Sequence, residues 1–268
     1  MSLSSPEAPR ASLRVAEVTK HFGGVTAVSS ASLTLTAGSI HGLIGPNGAG
    51  KSTIIGLISG FLRPDSGTIE FGSAPLTKLD PAAIARLGIS RTFQQATPFA
   101  GLTALENVMV GMHLRHRAGL AAVLLRFPGM RREAEEVKTA AGALLDEFGL
   151  LGDADADASG LPFGKLRFLE LARAVAMRPQ ILLLDEPAAG LNDQETRRLG
   201  ELLRKLPAQG IGVLLVDHDV PFVFGLCDEV TVMNFGSVIA SGTPDAVHRD
   251  PTVREAYLGD QDAVENAA

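Results

Sequence analysis

The chain has 268 residues, of which 46% are hydrophobic and 20% charged, which excludes a mainly disordered or collagenous protein. A net charge of −6, from 24 basic and 30 acidic residues, gives no support to a general role in nucleic-acid binding. The single cysteine, Cys227, excludes an internal disulfide and a thiolate metal site, so a cytosolic compartment is expected.

No run of the sequence reaches the roughly 18 consecutive apolar residues that a membrane-spanning helix needs. Residues 1–12 are rich in serine, proline and alanine and lack the apolar core of a secretory signal. We expect them to form a disordered leader.

The first third of the chain alternates strand and helix patterns. Period-two alternation and a short apolar run predict strands, and apolar residues at helical spacing predict a helix that stops at Gly60. In chain order, these elements are strands at 13–18, 28–35 and 40–44, a helix at 53–59 and a strand at 68–71.

From about Leu102 to Gly149 the composition shifts to alanine, leucine, arginine and glutamate at helical periods, and this pattern continues at 161–177. It predicts a helical insertion at about 97–175 in an α/β core. The later elements are strands at 181–184 and 212–216, a helix at 194–206, and a hairpin of 228–233 and 237–241 around Gly236. Strands that alternate with helices imply a parallel sheet with both faces covered.

The strongest chemical signal is a G-x-x-x-x-G-K-[ST] loop that follows a strand and opens a helix. Its backbone N–H groups can curl around phosphates at the positive end of the helix. Lys51 is expected to reach the β- and γ-phosphates, and the Ser52 hydroxyl to coordinate Mg²⁺. The alternative is an ordinary glycine turn. The residues predicted to bind ATP here are Gly45, Pro46, Asn47, Gly48, Ala49, Gly50, Lys51, Ser52 and Thr53.

An apolar strand that ends in two carboxylates, at 181–186, supplies a second acidic element. Asp185 is placed to hold the Mg²⁺ shell, as a strand-end aspartate does in phosphate-loop enzymes. Glu186 follows it and can polarise the attacking water. Taken alone, the pair is also typical of an acidic turn; the upstream phosphate loop favours the catalytic interpretation.

From about Leu13 to Gly259, these motifs and their order resemble the ATP-binding subunit of an ABC transporter. The resemblance implies an α/β fold: a phosphate-loop ABC ATPase core, mainly a parallel sheet with an N-terminal antiparallel β part, plus an α-helical subdomain at about 97–175. It assigns 13–259 to a single ABC ATPase domain and leaves 260–268 as a disordered tail.

The resemblance gives roles to three further residues. Phe22 stands where the family stacks an aromatic ring on adenine, although a buried strand-end aromatic is the alternative. Gln94 matches the family's glutamine, which touches Mg²⁺ and water and couples to the membrane domain. His218, after an apolar strand, matches the histidine that contacts the γ-phosphate; a purely structural histidine is the alternative.

Residues 161–165, called here the signature segment, stand where the family carries L-S-G-G-Q and keep only Leu161 and Gly164 of it. In the family this segment faces the γ-phosphate bound by the opposite subunit. Pro162 offers no donor, and Lys165 replaces the glutamine, where its charge can substitute for part of the lost interaction. We therefore expect the site completed by this segment to be the weaker one.

Residues 189–193, called here the interface loop, resemble the family's loop between the two subunits. Because each ATP site takes its phosphate loop from one subunit and its signature segment from the other, the resemblance implies a head-to-tail dimer, hetero- or homomeric. A monomer is then expected to bind ATP but to hydrolyse it poorly.

An arginine-rich stretch is either a solvated helix face or a surface for transmembrane partners and anionic lipids. Its arginines are Arg115, Arg117, Arg126, Arg131 and Arg132.

The segments 91–94, 189–192 and 257–259 look like the larger ATPase subunit of branched-chain (hydrophobic) amino-acid importers. That resemblance implies Mg²⁺-dependent ATP hydrolysis, a second ATPase subunit, two transmembrane permease subunits, indirectly a solute-binding protein, and no nucleic acid. It places the chain peripherally on the cytoplasmic face of the inner or plasma membrane. Asp193, Asp217 and the signature segment depart from the usual pattern.

Four alternatives stay open. A urea or amide importer and a lipopolysaccharide-export system share this architecture, and the ATPase never contacts the solute. A soluble ABC ATPase usually carries a long coiled-coil insertion or two cassettes, for which 268 residues leave little room. A regulatory module without turnover fits less well because Glu186 and His218 are both present.

Overall fold

The computed structural model describes residues 12–92, 97–113 and 128–255, and in these ranges it contains one antiparallel and one mixed sheet. The antiparallel sheet has the strand order β2-β1-β4-β5. Its strands are β1 (Ser12–Phe22), β2 (Val25–Thr36), β4 (Ser66–Phe71) and β5 (Ala74–Pro75). This is the antiparallel part expected near the N-terminus.

Strands β1 and β2 both extend beyond the predicted 13–18 and 28–35. Their pairing shifts register after Val15, and Glu17 and Ser30 adopt positive φ values of 50° and 45°. Such bulges interrupt the alternation of buried and exposed side chains while the strands continue to pair. The sequence pattern therefore ends before the strand does.

The mixed sheet has the strand order β10-β9-β3-β8-β7-β6, and every neighbouring pair is parallel except the β9–β10 hairpin. Its strands are β3 (Ile40–Ile44), β6 (Ile89–Arg91), β7 (Ile181–Asp185), β8 (Gly212–Val216), β9 (Glu229–Asn234) and β10 (Ser237–Gly242). All residues of β3, β7 and β8 are buried, as expected for the centre of a parallel sheet. Because these strands are parallel, their carboxyl ends meet at one edge.

Helices cover both faces of this sheet, so side chains on successive residues of a strand enter different cores. On β7, Leu182 and Leu184 pack with the helices of the 97–176 region, whereas Ile181 and Leu183 pack with β1, β2 and the helix after β3. The expected doubly covered α/β core is confirmed.

The helices are short apart from two in the 97–176 region. They are α1 (Lys51–Ile58), α2 (Pro81–Arg86), α3 (Ala104–His113), α4 (Pro128–Glu147), α5 (Phe163–Ala176), α6 (Asp193–Leu203), α7 (Val220–Phe224), α8 (Pro244–Arg249) and α9 (Pro251–Val253). Within the described ranges, no helix has both the length and the apolar character needed to cross a bilayer.

Candidate functional site

The phosphate loop, residues 45–52, joins the carboxyl end of β3 to the first turn of α1. Gly50 caps α1 in the left-handed conformation, with φ 103°. A Cβ atom on Gly50 would lie 2.5 Å from the carbonyl oxygen of Ala27, and one on Gly45 would overlap the carbonyl of Met233. The loop is therefore pressed between β2 and β9, and these two positions accept only glycine.

Lys51 is buried, although it carries a charge. Its Nζ donates to the carbonyl oxygens of Gly45, at 2.6 Å, and of Pro46, at 3.0 Å. Burial lowers the pKa of the Lys51 ammonium, while the nearby carboxylates of Glu186 and Asp185 act in the opposite direction. The ammonium is thus held against the start of the loop, between the phosphate loop and the acidic strand end.

Ser52 and Asp185 are in contact. The Ser52 Oγ donates to Asp185 Oδ1 at 3.4 Å, and Arg91 Nη2 lies 3.2 Å from Asp185 Oδ2. The Asp185 carboxyl is 1% exposed; burial raises its pKa, and Arg91 is the main group that lowers it. No sequence pattern predicts this contact of Arg91, because it joins residues 94 positions apart.

A hydroxyl and a carboxylate side by side form a donor set of the kind that Mg²⁺ prefers. Among the described residues, no group of three His, Cys, Asp or Glu side chains could hold a metal ion by itself. Mg²⁺ usually combines one or two protein oxygens with substrate phosphates and water rather than an all-protein cage. Ser52 and Asp185 therefore fit a magnesium ion that arrives with a nucleotide.

Glu186 leaves the strand immediately after Asp185. Its φ of 50° is unusual for a residue other than glycine, and its backbone N–H donates to the carbonyl of Val216 at 2.7 Å. This bond ties the turn after β7 to the end of β8. The partly exposed Glu186 side chain consequently stands at the shared edge, next to the buried Asp185.

His218 follows β8 with its side chain 62% exposed. Asp217, which is buried, accepts hydrogen bonds from the backbone N–H groups of His218 at 2.8 Å, Asp219 at 3.1 Å and Ala188 at 3.3 Å. Asp217 thus links two turns, the one that carries His218 and the one that carries Glu186. This capping role of Asp217 was not predicted from the sequence, although the position of Asp217 between an apolar strand and His218 indicates a residue that caps the turn.

The signature segment precedes and opens α5. Leu161 and Gly164 are buried, and Pro162 occupies the cap position without a side-chain hydrogen bond. Lys165 Nζ forms an ion pair with Asp153, with N–O distances of 2.7 and 2.8 Å. The hypothesis that Lys165 offers its charge to a second nucleotide is therefore not supported in this conformation, because Asp153 already neutralises that charge.

The interface loop ends at a capping box formed by Asn192 and Glu195, which was not predicted. The Asn192 side chain accepts from the backbone of Glu195, and the Glu195 carboxylate accepts from the Asn192 N–H at 3.0 Å. The other Glu195 oxygen lies directly against Gly164, and a Cβ on Gly190 would lie 2.7 Å from the Phe163 ring. The signature segment and the interface loop therefore pack on each other within one chain.

Phe22 ends β1 with 47% of its surface exposed, so the alternative of a buried aromatic is wrong. The Lys20 ammonium lies 5.6 Å from the centre of its ring. The same ammonium contacts Asp65, which also accepts from the backbone N–H of His21 at 2.6 Å. These bonds fix the end of β1 and leave a face of Phe22 open.

Some of the predicted residues lie outside the described ranges. They are residues 1–11 of the expected leader, Gln94, Arg115, Arg117, Arg126, the segment 257–259 and the expected tail at 260–268. Residues 45–53 follow the carboxyl end of β3, Asp185 ends β7 with Glu186 directly after it, and His218 follows β8, so these predicted residues lie at one edge of the sheet.

Comparison with known families gives two matches. A model described as ABC transporter matches residues 28–189, and one described as Branched-chain amino acid ATP-binding cassette transporter matches residues 237–263. The high-affinity branched-chain amino acid transport ATP-binding protein LivG of Salmonella typhimurium is 42% identical over 240 residues, which is 89% of this chain and 94% of LivG. The corresponding protein BraF of Pseudomonas aeruginosa is 39% identical over 249 residues, 92% of this chain and 98% of BraF.

Solved structures agree with this assignment. A nucleotide-free ATP-binding cassette from an ABC transporter has a TM-score of 0.78 and 31% identity, and covers 92% of this chain and 98% of its own. An ABC transporter cassette in its ADP conformation has a TM-score of 0.79 and 32% identity over 93% of this chain and 99% of its own. The likeness in sequence, fold and motif order extends over most of the chain, which therefore belongs to the ATP-binding subunits of ABC transporters, in the branch that contains LivG and BraF.

Proposed function

We propose that this chain is the ATP-hydrolysing subunit of an importer for branched-chain and other hydrophobic amino acids. The observation that carries the proposal is the convergence of the phosphate loop, Asp185, Glu186 and His218 at one sheet edge of a chain 42% identical to LivG. Family membership supports the ATPase activity. The solute class rests on the relatives' names, since the sequence of the ATPase indicates no solute site.

In this proposal, the backbone N–H groups of residues 47–52 and the Lys51 ammonium bind the β- and γ-phosphates of ATP. Lys51 exchanges its bonds to the Gly45 and Pro46 carbonyls for bonds to phosphate oxygens, and the buried setting strengthens each of these contacts. Ser52 and Asp185 hold Mg²⁺, with Gln94 as a further expected ligand. When bound, Mg²⁺ supplies neutralisation of the charge on the phosphate oxygens.

Glu186 orients the attacking water and accepts its proton, while His218 contacts the γ-phosphate. The bond from Glu186 N–H to Val216 and the cap formed by Asp217 keep both side chains on rigid turns at neighbouring strand ends. Such preorganisation is the main contribution a protein makes to phosphoryl transfer. Phe22, with its open face, is proposed to stack on adenine.

Cassettes of this family work as dimers with transmembrane components. For this chain we propose a head-to-tail arrangement in which Leu161 and Gly164 of one subunit face the nucleotide of the other, while Lys165 beside them stays paired with Asp153. The finer assignment is a second, different ATPase subunit, two permease subunits and an indirectly coupled solute-binding protein, with peripheral attachment to the cytoplasmic face of the membrane. The division into a core and a helical subdomain at about 97–175 is part of this proposal.

Affinity purification of the tagged chain from its native membranes tests the assembly. We expect two polytopic chains and a second ATPase to accompany it; a chain that elutes alone or with nucleic acid would refute the importer.

The solute class is tested by reconstituting that assembly in liposomes and measuring ATP hydrolysis with the solute-binding protein. Stimulation by leucine but not by urea is expected, and the reverse would favour the amide importer.

A matched pair of lysine variants tests the nucleotide site. Lys51→Ala is expected to abolish binding of a fluorescent ATP analogue, because the buried ammonium faces the loop. Lys78→Ala removes the same charge from an exposed position and is expected to bind normally. Equal affinities for the two variants would refute the assignment of the loop.

A further inference from the structure

Arg91 connects the magnesium site to the back of the first helix. Its Nη2 lies 3.2 Å from Asp185 Oδ2, and its Nη1 donates to Ser59 Oγ at 3.2 Å. The guanidinium carbon also lies 5.6 Å from the centre of the Phe61 ring. Among the described residues, Ser59, Phe61 and Asp185 thus all contact the Arg91 guanidinium, and Asp185 is the carboxylate expected to bind Mg²⁺.

The two oxygens of Asp185 face different partners. Oδ1 accepts from Ser52, the other expected metal ligand, whereas Oδ2 faces Arg91. A carboxylate on a single bond can rotate, so its orientation depends on the partners of its two oxygens. The division of its oxygens between Ser52 and Arg91 selects one orientation.

The anchorage of Arg91 is rigid at both ends. Its backbone lies opposite Leu183 in the parallel β6–β7 pair, two residues before Asp185. The next residue, Thr92, donates its N–H to the Leu183 carbonyl at 3.0 Å. At the other end, Ser59 Oγ also donates to the Ile55 carbonyl at 2.7 Å, which fixes the hydroxyl that Arg91 contacts.

We propose that Arg91 is a positioning residue: by binding Asp185 Oδ2, it keeps Oδ1 turned towards Ser52, so that the two oxygens are ready to hold the magnesium ion of the nucleotide. This inference rests on the proposed function and deepens it. It assigns to Arg91 a role that neither the motifs nor the family comparison gives.

The positive charge of Arg91 also repels a metal ion, so orientation and repulsion oppose each other. Two observations decide in favour of orientation. The guanidinium occupies Oδ2, while Ser52 marks Oδ1 as the metal side, so the ion does not have to displace Arg91. In addition, the Asp185 carboxyl is 1% exposed, and removing its partner leaves a buried charge uncompensated.

The test measures metal affinity directly. Mn²⁺ replaces Mg²⁺ as the probe, and its binding to the complex of full-length chain and ATP is followed by electron paramagnetic resonance. A fluorescent ATP analogue in excess chelator reports metal-free nucleotide binding. For Arg91→Gln we expect Mn²⁺ affinity to fall by about tenfold or more, as for other residues that orient metal ligands, with metal-free nucleotide binding unchanged.

Three further variants separate orientation from charge and from folding. Arg91→Lys keeps the charge but has one donor nitrogen. We expect its Mn²⁺ affinity to lie between the affinities of the wild type and of Arg91→Gln. Ser59→Ala leaves Arg91 and Asp185 intact but loosens the guanidinium, and a smaller loss is expected. Arg198→Gln is the matched control, because the Arg198 guanidinium lies 5.4 Å from the ring of Phe168 and does not contact Asp185.

A double-mutant cycle tests whether Arg91 acts through Asp185. In an Asp185→Asn background, Arg91→Gln is expected to change Mn²⁺ affinity little. An equal loss in that background, or tighter Mn²⁺ binding by Arg91→Gln alone, would overturn the inference. If the wild-type chain bound no nucleotide, the proposed function would fail instead, so the two failures are distinguishable.

Discussion

Two glycines in helices form a matched pair that tests how closely α3 and α5 pack. A Cβ on Gly111, in α3, would lie 2.5 Å from the carbonyl oxygen of Arg173 and 3.1 Å from the Cβ of Ala176, both in α5. A Cβ on Gly142, in α4, would meet no atom within 4 Å. Alanine at either position favours the helix by about 1 kcal/mol relative to glycine.

The overlap at Gly111 involves a backbone oxygen, which cannot move aside as the end of a flexible side chain can. Forcing an extra methyl group into such a contact costs about 3 kcal/mol. Gly111→Ala should therefore lower the free energy of unfolding by about 2 kcal/mol, after the helix-propensity gain of about 1 kcal/mol. Gly142→Ala should raise it by about 1 kcal/mol.

Urea denaturation followed by circular dichroism measures both variants, provided that the slope of the free energy against urea stays that of the wild type. Because the helix-propensity gain is common to the two variants, their difference isolates the helix contact. Equal stabilities for Gly111→Ala and Gly142→Ala would refute the close approach of α3 to α5.

Three further predictions concern single carboxylates. Glu186→Gln should reduce ATP hydrolysis by about 100-fold or more while nucleotide binding is retained, as measured by phosphate release and fluorescence titration. Asp217→Ala leaves three backbone N–H groups without their acceptor and should cost at least about 3 kcal/mol in urea denaturation; a cost below that of Asp217→Asn would contradict this. The Lys20 ammonium, together with a backbone amide, holds the pKa of Asp65 at about 2, below the ordinary 3.8. The stabilisation provided by the ionised Asp65 carboxylate is therefore present above pH 3.8 and lost as the pH falls towards 2. The difference in the free energy of unfolding between wild type and Asp65→Asn should shrink over that interval.

Much of the fold could be predicted because the central strands are continuous apolar runs. The predicted strand at 40–44 coincides with β3, and the one at 212–216 with β8. The three-residue strand β6 was missed because three residues show no period. Helices α8 and α9 were also missed, although a cap residue followed by proline at 243–244 and 250–251 was a usable signal.

The chemistry of the site was predictable where a local motif carries it, as at residues 45–52. The contacts that orient the motif side chains were not. Arg91 reaches Asp185 across two strands that are adjacent only in the folded sheet, and Glu195 reaches Gly164 across a tertiary contact. Of these two partners, only Glu195 belongs to a local sequence motif, the capping box that it forms with Asn192.

The contact between Glu195 and Gly164 gives the chain a mechanical property. Glu195 caps the helix that continues the interface loop, and the same carboxylate rests on the first turn of the helix that the signature segment opens. A displacement of one segment must therefore displace the other, because both contact the Glu195 carboxylate. In the proposed head-to-tail pair, a change at a subunit's own nucleotide would reach the neighbour's nucleotide through this contact, and the two sites would not respond independently.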